Sequence, residues 1–248
     1  MTKVMVVTGG SRGIGAATAR LAAARGYAVC VNYVKNEKAA KAVVADIEAA
    51  GAAAIAVKAN VAEESDVKRL FRTVDQELGP LDALINNAGI VNPAGRVEDM
   101  TAERVNRILA LNVTGCFLCA REAIKRMSTA HDGAGGAIVN VSSAAARLGG
   151  PGEFVDYAAS KGAIDTFTTG LALEVAAQGI RVNAVRPGII ETEIHAAIGK
   201  PERVAEIGPT VPMGRSGTAA EVAEAILWLC SDAASYVDNS FVEISGGR

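Results

Sequence analysis

The chain has few of the residues that build disulfide frameworks or metal sites. Its 248 residues include only four cysteines and two histidines. A zinc site at Cys116 and Cys119 would need a second pair of ligands, but His131 and His195 each stand alone in sequence. Both cysteines lie in the apolar helical stretch LNVTGCFLCARE, so we expect all four cysteines to pack as small hydrophobic residues and no metal to be bound.

Charge clusters and long apolar runs are also absent. The formal net charge is −2 and lysines and arginines are scattered, which argues against nucleic acid as a partner. No apolar run reaches the roughly 20 residues of a membrane span. The first strand is expected to begin by Val4, which leaves no room for a secretion leader and predicts a cytoplasmic location. Half of the residues are hydrophobic, enough for one core, so residues 1–248 are expected to form a single domain.

Short β-branched runs alternate with alanine-rich helical patterns along the chain. Strands are predicted at 4–8, 27–33, 53–59, 81–86, 136–142, 180–185 and 240–244. Helices are predicted at 13–25, 36–50, 63–78, 101–127, 156–178 and 218–231. This rhythm is typical of repeated βαβ units, and it predicts an α/β fold with a doubly wound parallel sheet of about seven strands and helices on both faces. Such sheets bind ligands at the carboxyl ends of their strands.

One long segment, residues 187–217, is rich in proline and glycine and is predicted to be an irregular loop over the substrate. Its expected apolar wall consists of Ile189, Ile190, Ile194, Val211 and Met213. Such a wall suits a small ketone, a secondary alcohol or an acyl chain better than a polyanion. His195 lies in the same loop, where a lone histidine usually has no catalytic role.

A glycine-rich turn follows the first strand in the sequence TGGSRGIG at 8–15. Gly9, Gly13 and Gly15 would let the backbone approach a diphosphate closely, and the amino end of the next helix would face that anion. The spacing is GxxxGxG, not GxGxxG. A simple tight connection between strand and helix is the alternative interpretation.

The end of the second strand lacks the acidic residue that usually binds the adenosine ribose of NAD. Residues 29–36 read VCVNYVKN, and Arg12 and Lys35 would both attract a 2′-phosphate. NADP(H) is therefore the predicted cofactor, with NAD(H) as the alternative. The alternative for Lys35 is a solvated loop residue that does not contact the cofactor.

Tyr157 and Lys161 are one helical turn apart in the sequence DYAASKGAID. A phenol ordinarily keeps its proton to a pH near 10, and a nearby ammonium stabilises the phenolate, so such a pair is suited to acid/base catalysis at neutral pH. Ser142 and Ser143 end a strand where a hydroxyl would reach a substrate carbonyl, and the choice between them stays open. An ordinary contact on an amphipathic helix is the alternative for the Tyr/Lys pair alone.

These motifs together resemble the short-chain dehydrogenase/reductases over essentially the whole chain. The matching features are TGGSRGIG at 8–15, NNAG at 86–89, Asn112 in LNVTG, the set Ser143, Tyr157 and Lys161, and RPG at 186–188. The resemblance implies a Rossmann fold, with Tyr157 as proton donor or acceptor and Ser143 polarising the carbonyl. It also implies that Lys161 tunes Tyr157 and holds ribose, and that Asn112 anchors a water in a proton relay.

The resemblance also implies which residues bind the cofactor. They are Gly9, Ser11, Arg12, Gly13, Ile14, Gly15, Asn32, Tyr33, Asn60, Val61, Asn87, Ala88, Gly89, Tyr157, Lys161, Pro187, Gly188, Ile190 and Thr192. Asn60-Val61 stands where the family often has Asp-Val, so an amide would replace a carboxylate at the adenine.

The expected function is reversible hydride transfer between a nicotinamide and a carbonyl or secondary alcohol, with Tyr157 moving the proton on oxygen. Two other classes are a silent dinucleotide-binding sensor or scaffold and a nucleotide-cofactor methyltransferase. The pair Tyr157 and Lys161 speaks against both. The helices around 101–127 and 156–178 are candidates for a homodimer interface, and the resemblance implies a homotetramer. Glu153 and Asp156 are expected to be solvated beside the mouth of the site.

Overall fold

The computed structural model describes residues 2–194 and 202–248, so His195 lies outside the described residues. The strands are β1 (Lys3–Val7), β2 (Tyr27–Tyr33), β3 (Ala54–Lys58), β4 (Ala83–Asn86), β5 (Gly136–Val141), β6 (Ile180–Pro187), β7 (Ile190–Glu191), β8 (Gly217–Thr218) and β9 (Phe241–Ile244). The helices are α1 (Gly13–Ala24), α2 (Glu37–Ala49), α3 (Glu64–Glu77), α4 (Ala102–Leu109), α5 (Gly115–Met127), α6 (Ala145–Leu148), α7 (Val155–Val175), α8 (Arg203–Ile207) and α9 (Ala219–Cys230). Within the described ranges, no helix is long and apolar enough to cross a bilayer.

Seven strands form one parallel sheet in the order β3-β2-β1-β4-β5-β6-β9. The chain builds outward from β1 in one direction to β3 and then returns to add β4 on the other side of β1. The prediction of a doubly wound α/β sheet of about seven strands is confirmed. The connections after β1 and β4 diverge at this reversal, which opens a crevice at the carboxyl ends of the strands.

Helices cover both faces of the sheet. On β1, Met5 and Val7 pack with the core under α1, α2 and α9, whereas Val4 and Val6 pack with the core under α3, α5 and α7. Because successive residues of a strand point to opposite faces, both sets must be apolar. This explains why the strands read as continuous apolar runs with no alternation of polar residues.

The predicted helix over 101–127 is interrupted. A π-helical turn, Ala110–Thr114, separates α4 from α5. The prediction of one continuous helix is therefore wrong in its centre. Such turns are rare and are often found at functional sites, and this one carries Asn112, whose side chain is bonded outside the helix.

The expectation of an irregular loop over 187–217 is wrong for its described parts. β7 and β8 form a short parallel pair in which Ile190 is opposite Gly217. Between them lie α8 and a 3-10 turn, Gly208–Thr210. The segment is thus a small substructure above the carboxyl end of β6.

Candidate active site

The glycine-rich turn between β1 and α1 is closely packed. Gly9 and Gly13 have φ values of 62° and 51°, in the left-handed region that favours glycine. A Cβ on Gly15 would lie 2.5 Å from both Asn87 Nδ2 and the Gly9 carbonyl oxygen. Helix α1 then begins at Gly13 without a side-chain cap from Arg12. Backbone N–H groups at this helix end are therefore available for an anion.

Two polar side chains hold the turn against the sheet. Asn87 Nδ2 donates to the carbonyl oxygens of Thr8 and Gly9 at 2.9 and 3.1 Å. The Thr8 hydroxyl in turn accepts the N–H groups of Asn87 and Ala88, both at 3.0 Å. These hydrogen bonds join the residues after β1 to the residues after β4 at the carboxyl ends of the two strands.

Asn32, the next-to-last residue of β2, lies beneath the turn and is almost fully buried. Its Oδ1 accepts the Gly9 N–H at 3.2 Å, and its Nδ2 donates to Ala59 O at 2.9 Å and to Val57 O at 3.3 Å. All of its amide groups are thus occupied by the protein. Tyr33 is buried as well, so the side chains of both residues lie inside the protein.

Two cationic side chains follow the ends of β1 and β2. Arg12 and Lys35 are both exposed, and in the described part of the chain neither side chain forms an ion pair or a hydrogen bond. The first acid after β2 is Glu37, which pairs with Lys41 at 2.7 Å. The charge at the end of β2 is therefore positive, as the sequence predicts.

Tyr157 and Lys161 lie in the first turns of α7, facing the end of β5. Lys161 is 5% exposed, and its Nζ donates to the Val141 carbonyl oxygen at 2.6 Å. The same Nζ is 5.7 Å from the centre of the Tyr157 ring. Tyr157 is half-buried and lines the main cavity. The ammonium is thus held beside the phenol by the strand and not by the helix alone.

The structure separates the two candidate serines. The Ser142 hydroxyl is buried and donates to Asp165 Oδ1 at 2.6 Å. The Ser143 hydroxyl accepts the Ala145 N–H at 3.1 Å, which leaves its proton free to donate. Ser143 is half-buried in the cavity wall. These contacts favour Ser143 as the group that meets a substrate oxygen.

Asn112 is fully buried and connects three segments. Its Oδ1 accepts the Ile90 N–H at 2.8 Å, and its Nδ2 donates to Ile90 O at 3.0 Å and to Ser160 Oγ at 3.1 Å. Ser160 Oγ donates onward to Tyr157 O at 2.7 Å. Asn112 therefore fixes the loop after β4 and reaches the backbone of Tyr157 through one hydroxyl.

These elements enclose a cavity of about 540 Å³. Its wall includes Ile14, Asn87, Gly89, Ser143, Tyr157, Lys161, Pro187, Gly188, Ile190 and Thr192 from the predicted cofactor and catalytic sets. The other predicted residues are not part of this wall: some, such as Ser11, Arg12, Asn60 and Val61, follow β1 and β3, and the rest are Gly9, Gly13, Gly15, Asn32, Tyr33, Ala88 and Asn112. The cavity is thus the inner half of the predicted cleft.

The apolar wall differs in part from the prediction. Ile189, Ile190 and Ile194 line the cavity, but Val211 and Met213 do not. Val211 is instead packed beside Gly246, and Met213 is largely exposed. Including them was wrong, because the chain turns away after α8. Sequence reasoning missed Val91, Leu148, Phe154, Arg203 and Arg248, which complete the wall.

The expectation that Glu153 and Asp156 are solvated is wrong for Asp156, whereas the side chain of Glu153 is 33% exposed. Glu153 lines the cavity and pairs with Arg203 at 2.8 Å. Asp156 is buried against Arg104 at 2.8 Å. Both partners lie far away in sequence, so spacing alone could not reveal them.

The CxxC pair is packed inside the protein as predicted. Cys116 and Cys119 are buried in α5, and burial raises the pKa of the Cys116 thiol to about 11 and that of Cys119 well above its ordinary value. Across residues 2–194 and 202–248, no group of three or more histidine, cysteine or acidic side chains is arranged to hold a metal ion.

A glycine-rich turn, Tyr157 and Lys161 on one helix, and Ser143 at the end of β5 together form the candidate active site on a doubly wound sheet. The family described as "Enoyl-(Acyl carrier protein) reductase" matches residues 9–248. The chain belongs to the short-chain dehydrogenase/reductase family and has its Rossmann fold.

Curated relatives extend over the full chain. The "Uncharacterized oxidoreductase YgfF" of Escherichia coli (strain K12) is 59% identical over 245 residues, 99% of each chain. A "3-oxoacyl-[acyl-carrier-protein] reductase" of Synechocystis sp. is 39% identical, covering 99% of this chain and 96% of its own. These similarities make the chain an oxidoreductase of this family.

Solved structures of short-chain dehydrogenases are similar to this chain over nearly its full length. A short chain dehydrogenase from Burkholderia cenocepacia J2315, solved in complex with NADP, has a TM-score of 0.89 and 34% identity, covering 99% of this chain and 97% of its own. A short-chain type dehydrogenase/reductase from Mycobacterium marinum has a TM-score of 0.92 and 34% identity, covering 99% and 94%.

Proposed function

We propose that this chain is an NADP(H)-dependent oxidoreductase that interconverts a carbonyl compound and a secondary alcohol, with Tyr157 as the general acid/base. The observation that carries the proposal is the convergence of Tyr157, Lys161 and Ser143 on one cavity that continues to the glycine-rich turn. We further propose that the chain forms one dinucleotide-binding domain, with residues 187–217 covering the substrate.

The residues of the turn fit a dinucleotide. A diphosphate requires a backbone that side chains do not obstruct, and the turn carries glycine where a Cβ at Gly9 or Gly15 would also press against Ala88 or Asn87. The uncapped amino end of α1 supplies N–H donors, and the exposed Arg12 and Lys35 supply charge for a 2′-phosphate. These features, and the NADP complex of the Burkholderia relative, support NADP(H) over NAD(H). When bound, the nicotinamide supplies or accepts the hydride.

The chain's own residues handle the substrate oxygen. In reduction, the Tyr157 phenol donates its proton to that oxygen, and in oxidation the phenolate removes it. Ser143 donates a hydrogen bond to the same oxygen and polarises the carbonyl. Lys161, held by Val141 O, stabilises the phenolate. Asn112 holds the loop at Ile90, and we assign it the anchoring of a water in the proton relay.

The cavity suits an uncharged or acyl substrate at its inner end. Ile189, Ile190, Leu148 and Phe154 form apolar walls near Tyr157. A 3-oxoacyl thioester fits this chemistry, and the Synechocystis relative is named for such a reaction. Arg203 and Arg248 lie in the wall as well, so anionic ketones also belong among the compounds to be tested.

The test follows NADPH and NADH absorbance in parallel with a panel of small ketones, 3-oxoacyl thioesters and their alcohols. Tyr157→Phe is expected to bind NADPH normally and to lose at least 1,000-fold in kcat, near the upper part of the range for acid/base catalysis. Tyr236→Phe is the matched control, because Tyr236 is fully exposed outside the cavity. Substantial turnover by Tyr157→Phe would contradict the assignment.

The alternative is a silent dinucleotide-binding sensor or scaffold. Such a protein would bind NADPH with no turnover of any carbonyl in the panel. A protein that only binds the cofactor would be expected to lose Tyr157 or Lys161, and this chain keeps both beside the cavity, which is why the enzyme is preferred. NADPH binding without turnover by the wild-type protein would reverse this preference.

We also propose that the protein forms a homodimer or homotetramer through α4, α5 and α7. Leu109, Phe117 and Leu173 expose large apolar side chains on these helices, and the rings of Phe117 and Phe167 are 3.9 Å apart. Exposed apolar patches of this kind are typical of interfaces. Sedimentation analysis of wild type and Phe117→Asp tests this, and an unchanged oligomer would argue against the surface.

A further inference from the structure

One buried ion pair lies directly next to the proposed acid/base residue. Arg104 of α4 contacts Asp156 of α7 through Nε at 2.8 Å and NH2 at 3.3 Å. The Asp156 side chain is only 1% exposed and that of Arg104 19%. Buried pairs contribute little net stability, because desolvation offsets their attraction. The effect of the Arg104–Asp156 pair on the position of neighbouring groups therefore matters more than its net contribution to stability.

Asp156 collects donors from three segments of the chain. Besides Arg104, it accepts Asn92 Nδ2 at 3.0 Å and the Tyr157 backbone N–H at 2.9 Å. Arg107 in turn donates to Asn92 Oδ1 at 2.7 Å. Burial raises the pKa of the Asp156 carboxyl, but the hydrogen bonds from Arg104, Asn92 and Tyr157 outweigh burial and lower it. Asp156 is therefore ionised at neutral pH.

The start of α7 depends on this carboxylate. Phe154, at the N-cap, forms no side-chain hydrogen bond to the helix. The first N–H groups of a helix have no partners within it, and an uncapped first turn frays. Asp156 accepts one of these groups, that of Tyr157, while it is itself fixed to α4 and to the loop after β4. The position of the Tyr157 backbone is thus set by side chains from two other elements.

The glycine-rich turn is held by hydrogen bonds other than those of the ion pair. The turn at Gly9 is attached to the loop after β4 through Thr8 and Asn87, and Asn112 holds Ile90. None of these bonds involves Asp156 or Arg104. A disturbance of the ion pair should therefore move the phenol and leave the diphosphate cradle in place.

We propose that Arg104 and Asp156 are positioning residues that hold the Tyr157 phenol in its place in the cavity wall. This inference rests on the proposed function, in which Tyr157 moves the substrate proton. A displacement of a reacting group by about 1 Å can reduce a rate by about 100-fold.

Asp156→Asn, Arg104→Gln and Arg104→Lys test the proposal. Asp156→Asn and Arg104→Gln are expected to lower kcat about 10- to 100-fold and to change the NADPH Kd by less than about threefold. Arg104→Lys keeps the positive charge but loses the planar guanidinium that contacts Asp156 through two nitrogens. Its kcat should therefore lie between those of Arg104→Gln and the wild type. The double variant should be no slower than the slower single variant, because both act on one contact.

Arg126→Gln is the matched control. Arg126 is 18% exposed, close to the 19% of Arg104, and pairs with the buried Glu122 at 3.1 Å and with Asp75 at 2.8 Å, but it lies on α5 away from the cavity. It should keep wild-type kcat. Unchanged kcat in Asp156→Asn and Arg104→Gln, or an equal loss of kcat in Arg126→Gln, would overturn the proposal.

Amide hydrogen exchange of the cofactor-free protein provides a readout that needs no substrate. The first turn of α7 should exchange faster in Asp156→Asn than in wild type, with α1 unchanged and no such effect in Arg126→Gln. Equal exchange in that turn would overturn the positioning role. If the wild-type protein reduces no carbonyl, the proposed function fails, while the exchange result still decides whether the pair fixes Tyr157.

Discussion

Gly15→Ala is a sharp test of the close packing in the glycine-rich turn. Gly15 lies in α1 with φ outside the left-handed region, so alanine adds only a Cβ. That Cβ would be 2.5 Å from Asn87 Nδ2 and from the Gly9 carbonyl oxygen. Something must shift, and the easiest group to displace is the Asn87 amide, which holds the turn.

The magnitude combines three effects. Alanine is favoured over glycine in a helix by about 1 kcal/mol. Overpacking costs about 1–3 kcal/mol, and displacing Asn87 weakens two hydrogen bonds worth about 0.5–1.5 kcal/mol each. We therefore expect a net loss of about 2 kcal/mol, which lowers Tm by about 4–8 °C in a chain of this size. NADPH affinity should fall as the turn opens.

Gly170→Ala is the matched control in the same kind of element. Gly170 lies in α7, and a Cβ there would meet nothing within 4 Å. It should raise Tm by about 2–4 °C through helix propensity alone and leave NADPH binding unchanged. Calorimetry and NADPH titration of both variants check this. If Gly15→Ala were as stable as Gly170→Ala and bound NADPH like wild type, the reasoning about the cradle would be refuted.

Three further predictions concern charge, the serines and the thiols. Arg12→Glu should weaken NADPH binding roughly tenfold, about 1.4 kcal/mol, with little change for NADH, as measured by parallel Kd titrations; equal effects on both would remove Arg12 from the 2′-phosphate site. Ser143→Ala should lower kcat about 100-fold with the fold intact, whereas Ser142→Ala should lower Tm because its hydrogen bond to Asp165 is lost. Steady-state kinetics and melting curves of both variants distinguish these effects. The reverse pattern would exchange the roles of the two serines. All four cysteines should resist a thiol reagent at neutral pH until the protein unfolds, because burial raises their pKa and blocks access; rapid reaction of the native protein would contradict this burial.

The sequence predicted the sheet well because its signal is local. Strand β2 was predicted at its observed bounds, since seven consecutive buried residues leave few alternatives. The break at Ala110–Thr114 was not predicted. A π-helical turn depends on tertiary contacts, here the hydrogen bond between Asn112 and Ile90. The spacing of apolar residues in the sequence does not indicate such a contact.

The site was predicted in outline but not in its supporting contacts. The spacing of Tyr157 and Lys161 gave one face of a helix, and the observed cavity agrees. Asp156 was misjudged as solvated because its partner Arg104 is 52 residues away and becomes a neighbour only when α4 packs on α7. Polar residues beside a motif carry no sign of burial in sequence. The assignments of individual catalytic and cofactor residues stay predictions.

The buried amide of Asn32 limits how cofactor preference can be redesigned. An aspartate there would still accept the Gly9 N–H, but its second oxygen would face the Ala59 and Val57 carbonyl oxygens with no proton to offer. Asn32→Asp would therefore place a buried carboxylate oxygen against two carbonyl oxygens and destabilise the ends of β2 and β3. An acid introduced at the exposed Val34, one step beyond the strand, would alter specificity while leaving the floor of the cleft intact.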